Sequence, residues 1–241
     1  MTKTQLLNQF SQDREERTLF AHGLDKAEQS QGFATSTPFF TAEERERFTQ
    51  LLNASGIQNF HFSGGYDGAV RQICTFYPPW EEEVSPLPLK VVEATFYGTL
   101  SHSDLLGGLM GIGLTRQKFG DILVGEKFAH MVVLEDVAPI VLSQWSSAGR
   151  EKLSLTLLDL CDLKQPEQKV KEIRDTVSTM RLDSVVASGF SLSRSKASSY
   201  ISGGKVQRNH IECTKPDKLV EEGDILTCRG LGKCLVSEVL G

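Results

Sequence analysis

Between Arg181 and Lys215 stand six basic side chains (Arg181, Arg194, Lys196, Lys205, Arg208 and Lys215) against two acidic ones, Asp183 and Glu212. Such a cluster can neutralise phosphates and displace their counterions. Ser193 is a natural helix N-cap. Arg194 and Lys196 then fall in a first helical turn, where free backbone N–H groups and the positive end of the helix dipole reinforce their charge. Lys205 and Arg208 follow on a hairpin turned by Asn209-His210, with Lys215 just beyond, so the positive surface extends along a phosphate backbone. This surface suits structured RNA, because A-form helices are read mainly through shape, phosphate and 2′-hydroxyl contacts. The candidate contacts are Arg181, Ser193, Arg194, Lys196, Lys205, Arg208, Asn209 and Lys215, joined upstream by Arg116 and Lys118 beside a glycine-rich helix.

Other chemistries find less support. Gly107, Gly108, Gly111 and Gly113 match neither a phosphate-binding loop ending in Gly-Lys-Ser/Thr nor the dinucleotide G-x-G-x-x-G spacing, and are read as glycines for close helix packing. Asp121 is read as shaping a turn. The five histidines lie far apart, and none has a cysteine or carboxylate at metal-ligand spacing. Five cysteines form an odd set without a C-x-x-C pair, which fits a reducing cytoplasm. No catalytic residue, metal site or cofactor is expected, and the chain is read as a non-enzyme.

The elements that position these residues follow from pattern. The chain has 241 residues, 39% of them hydrophobic, enough for one large or two modest cores. Its net charge is −5, but residues 181–241 carry nine Lys and Arg against seven Asp and Glu, so the acidity belongs to the rest. No run approaches a membrane span. Residues 4–32 read as helical, and Thr41 with Glu44 forms a capping box for a helix ending near Leu52. Ile57–Phe62 and the VRQICTFY segment read as strands of a glycine hairpin. The PPWEEEVSPLP segment, 78–88, reads as a linker with a boundary near residue 85. Beyond it the order is β-α-β-β-α-β, the signature of a ferredoxin-like split unit. KQPEQKVKEIRDTV, 164–177, connects to the last module, in which two short helices lie on a small sheet. The fold class is α+β. An N-terminal α/β subdomain (1–85) precedes a central ferredoxin-like, RRM-like βαββαβ subdomain (86–165). A connector (166–180) then leads to a small αL-type RNA-binding domain (181–241).

The residues R-L-D, then S-R-S-K-A, I-S-G-G-K-V, N, K-P and E-G-D resemble the S-four-type RNA-binding domain, named after a small-subunit ribosomal protein. Upstream, LSHSDLLGGLMGIGLTRQKFGDILV (100–124) resembles the central motif of the bacterial YlmH family, which pairs an RNA-binding-like region with this same C-terminal module. The resemblance implies binding to ribosomal RNA of the large subunit beside a stalled peptidyl-tRNA, within ribosome-associated quality control. Some members lie near cell-division genes. It further implies a cytoplasmic protein with structured RNA (rRNA, with tRNA a further partner) and the large ribosomal subunit as partners, no membrane, and a monomeric state. Two alternatives stay open: an RNA-modifying enzyme akin to pseudouridine synthases, whose catalytic aspartate also sits in an R-L-D tripeptide, and an adaptor of the division machinery. Asp183 lacks the Thr-Ser-Gly continuation of the former, since S-V-V-A-S-G follows it here.

Overall fold

The computed structural model describes residues 2–81, 86–166 and 170–240. The chain divides into two compact units, Met1–Gln168 and Lys169–Gly241. The boundary expected near residue 85 and part of the expected connector, 167–169, lie outside the described residues.

The first unit opens with α1 (Lys3–Phe10), α2 (Arg14–Gln29), β1 (Thr35–Ser36), α3 (Ala42–Ala54), β2 (Phe60–Ser63) and β3 (Ile73–Phe76). The stretch 4–32, expected to be helical, forms two helices. Ser11 leaves the helix in extended conformation, and the Asp13 carboxylate accepts a hydrogen bond from Glu16 N–H at 2.8 Å, capping a new start. Short polar side chains that capture backbone donors compete with helix continuation, and here they win. Thr41 and Glu44 form the expected capping box on α3. Phe48, Leu51 and Leu52, at the i, i+3, i+4 spacing of a helical stripe, are fully buried against Phe20, Phe40 and Phe76. The Phe40 and Phe48 rings stack at 4.9 Å. The strands pair antiparallel in the order β1-β3-β2.

The same unit continues with β4 (Leu89–Thr95), α4 (His102–Gly111), β5 (Phe119–Val124), β6 (Phe128–Leu134), α5 (Ala138–Gln144), β7 (Ser147–Ala148), β8 (Glu151–Lys152) and β9 (Ser154–Leu158). The long strands pair antiparallel in the order β5-β6-β4-β9, so the β4-α4-β5 and β6-α5-β9 crossovers interleave as in a split βαβ unit. β7 and β8 form a separate two-stranded ribbon. Leu105 and Leu109 of α4, Val141 of α5 and Trp145 share one core with Val92, Met131 and Ile122. Asp121 corrects its expected role as a turn former. It accepts hydrogen bonds from Tyr66 Oη (2.8 Å), Val70 N–H (2.7 Å) and Arg71 N–H (3.2 Å), tying β5 to the loop ahead of β3.

The second unit holds α6 (Leu182–Gly189), α7 (Arg194–Ser202), β10 (Val206–Arg208), β11 (Ile211–Glu212), β12 (Ile225–Cys228) and β13 (Gly232–Leu235). The helix pair packs its Leu182, Val186, Ala197 and Ile201 against Val206 and Leu226 of the antiparallel sheet β11-β10-β12-β13. Gly204, at φ +66°, takes the left-handed position that closes α7, and Lys205 N–H bonds back to Tyr200 O at 2.9 Å. Asn209 (φ 53°) and His210 (φ 68°) turn β10 into β11. Two consecutive left-handed residues give the twist that a tight hairpin needs.

Candidate nucleic-acid interface

In the second unit the expected cations separate by type. The three arginines of the set are held by carboxylates of the unit itself. Arg194 places Nε 3.1 Å from Asp183 Oδ2 and Nη2 3.3 Å from Oδ1, while Arg181 Nε reaches the same Oδ1 at 3.3 Å. Asp183, 5% exposed in the first turn of α6, is thus clasped from two sides. Burial works to raise its pKa, but the hydrogen bonds from Arg194 and Arg181 outweigh that and hold the carboxyl below its usual range. Arg208 Nε lies 2.6 Å from buried Asp224, whose other oxygen accepts from Asn209 Nδ2 at 2.8 Å. Asp224 likewise titrates low: burial opposes the shift, and the Glu221 N–H, Arg208 and Asn209 bonds produce it.

These bonds revise the expectation of one free cation cluster. Arg194 is still exposed over half its side chain, so its outer edge stays open to a ligand. Arg208 is mostly covered, and Asn209 is occupied by the turn, where its Oδ1 also accepts from Ile225 N–H at 2.9 Å. Ser193 serves as the N-cap of α7, accepting from Lys196 N–H at 3.3 Å.

The lysines behave differently. Lys196 and Lys215 are exposed, and no ion pair holds either among the described residues. Lys205 is exposed too, with its ammonium 5.0 Å from the centroid of the Tyr200 ring, a cation–π contact that leaves its charge available. Three further exposed cations were missed: Lys218, Arg229 and Lys233. Arg229 N–H bonds to Lys205 O at 2.8 Å, which sets the two residues side by side, and Lys233 pairs across from Thr227 on β12. Their signal was present in the count of nine basic residues, but the acidic Glu221-Glu222-Gly223-Asp224 stretch between them masks it.

In the first unit Arg116 turns inward. Its Nη1 donates to Phe119 O (3.2 Å) and Gly120 O (2.9 Å), its guanidinium lies 4.5 Å from the Phe119 ring, and burial, then the charge of Arg71, lowers its pKa to about 10. The expected RNA-facing role therefore does not fit Arg116, which braces β5. Lys118 remains partly exposed, with a long 3.9 Å contact to Asp136.

The helix-free face of the four-stranded sheet is covered in part, while Thr95, Ser154 and Thr156 stay exposed on it. The side of β4 and β6 away from the helices carries Glu93 and the fully buried His130, joined through Nε2 at 3.0 Å. Over it runs the segment after β9. Leu160 and Leu163 pack on the core, and Lys164 N–H donates to His130 Nδ1 at 3.0 Å. An N–H can only donate, so the neutral ring protonated at Nε2 satisfies both partners. Among the described residues no group of three or more His, Cys, Asp or Glu could hold a metal ion, and no helix is long and apolar enough to cross a membrane.

Known proteins carry the same two parts. Residues 85–162 match the family model described as "Putative RNA-binding domain in YlmH", and residues 180–226 match the S4 domain. A Bacillus subtilis (strain 168) protein, called ribosome-associated protein quality control protein P2, is 40% identical over 184 residues, which span 75% of this chain and 72% of that protein. The chain belongs to the YlmH family. A solved structure titled cell division protein ylmH from Streptococcus pneumoniae aligns with 63% of this YlmH-family chain and 96% of its own, at a TM-score of 0.50 and 18% identity, a likeness of fold.

Proposed function

We propose that this chain is a non-catalytic factor that binds structured ribosomal RNA of the large ribosomal subunit, beside a peptidyl-tRNA, in ribosome-associated quality control. It acts in the cytoplasm as a monomer. The observation that carries the reading is the division of labour in the C-terminal unit. Carboxylates anchor Arg181, Arg194 and Arg208, while Lys196, Lys205, Lys215, Lys218, Arg229 and Lys233 stand exposed around α7 and the sheet. Anchored guanidiniums give a pre-ordered surface, and exposed ammoniums supply the phosphate attraction. The name of the Bacillus subtilis relative supports a ribosomal setting.

Exposed lysines make the cleaner test, because reversing Arg194 would also strip Asp183 of a partner. Lys196→Glu combined with Lys205→Glu is expected to abolish co-sedimentation with purified large subunits while thermal melting stays unchanged. Sedimentation equal to that of the parent at physiological salt would refute the proposal.

A further inference from the structure

A groove of about 800 Å³ opens in the first unit, far in sequence from the C-terminal module. His22 and Lys26, one turn apart on α2, form one rim, and Lys118 enters from the turn before β5. Phe33, 66% exposed, offers its ring at the wall. The floor includes the Ser36 and Thr75 hydroxyls, bonded to each other at 3.0 Å. Burial, and then the positive charge of Lys26 and Lys118, depress the His22 pKa, with Asp25 opposing. Glu135 and Asp136 line the groove as well, Glu135 3.8 Å from Lys90. Asp136 meets Lys118 only at 3.9 Å and is 70% exposed, so this pair is solvated and separates at little cost.

We propose that this groove binds a short single-stranded RNA segment, with a phosphate at Lys26, His22 and Lys118 and a base stacked on Phe33. The pairing of a cationic rim with an exposed aromatic ring is the device of sequence-tolerant single-strand binding. A duplex, whose bases are stacked inside, has no free face for Phe33. The Glu135 and Asp136 carboxylates of the lining can accept hydrogen bonds from base amino groups. The site is separate from the C-terminal surface and stands or falls apart from it.

The test uses the full chain, an eight-nucleotide single-stranded RNA carrying 4-thiouridine, and ultraviolet crosslinking mapped by mass spectrometry. Crosslinks are expected on the peptide that holds Phe33. In equilibrium binding to the same oligonucleotide, Phe33→Ala is expected to weaken affinity roughly tenfold, and Lys26→Glu with Lys118→Glu at least as much. Phe33→Ala should keep co-sedimentation with large subunits. Phe33 is exposed, so its truncation leaves the fold intact even where the double charge reversal does not. Crosslinks confined to 181–241, or an affinity unchanged in Phe33→Ala, would overturn the site while leaving the ribosomal proposal standing.

Discussion

Asp183 lies buried at the start of α6 with two guanidinium groups on it, so a change there reaches both arginines at once. Asp183→Asn keeps the shape and removes the charge. It is expected to destabilise the C-terminal unit by about 1.5–3 kcal/mol, the range for hydrogen bonds to charged groups, as read by urea unfolding. The acid arm follows from the same carboxylate and from Asp224. Both titrate below their ordinary range, so the stability they contribute is complete above an unfolded value of about 3.9 and is lost as pH falls through their lower folded values. Circular dichroism during acid titration should show the loss beginning below about pH 4, with a smaller acid transition in Asp183→Asn. Residue types and spacing made the cations visible in sequence. The neutralisation of Arg194 and Arg208 was not visible, because Asp183 and Asp224 meet them from 11 and 16 residues away through the packing of α6 on α7 and of β10 on β12.

The glycine-rich helix α4 shows the same limit at the scale of an element. Close packing was expected at all its glycines, but only Gly108 meets it: a Cβ there would fall 2.4 Å from the Trp145 indole nitrogen, whereas Gly107 and Gly111 have nothing within 4 Å. Gly108→Ala is expected to overpack the core and cost about 1–3 kcal/mol. Gly107→Ala, exposed in the helix interior, is expected to stabilise by about 0.5–1 kcal/mol through helix propensity, and a pair of thermal melts distinguishes them. The capping box of α3 and the βαββαβ order were legible because local hydrogen bonding and hydrophobic period decide them. The break at Ser11–Asp13 and the groove beside α2 were not. The first turns on a competition between side-chain and helical hydrogen bonds, and the second exists only once segments distant in sequence have met.

For the whole molecule the charge is −5, so attraction to RNA must come from local surfaces against a mildly repulsive background. Affinity is therefore expected to fall linearly on a log–log plot against salt. Reversing Lys196 and Lys205 should flatten the slope by about 1.5–2, as loss of two phosphate contacts requires, which fluorescence anisotropy at a series of salt concentrations measures. The bond from Lys164 to His130 carries its own consequence, since 34 residues separate the two. While the chain emerges from its own ribosome, β4 and β6 can pair before Leu160 to Lys164 exist outside the exit tunnel. Their back then stays bare until synthesis has moved past that point. A nascent chain arrested with Asp162 just exposed should be cut readily by protease. One arrested a dozen or so residues later should resist, as the last stitch closes a half-finished sheet.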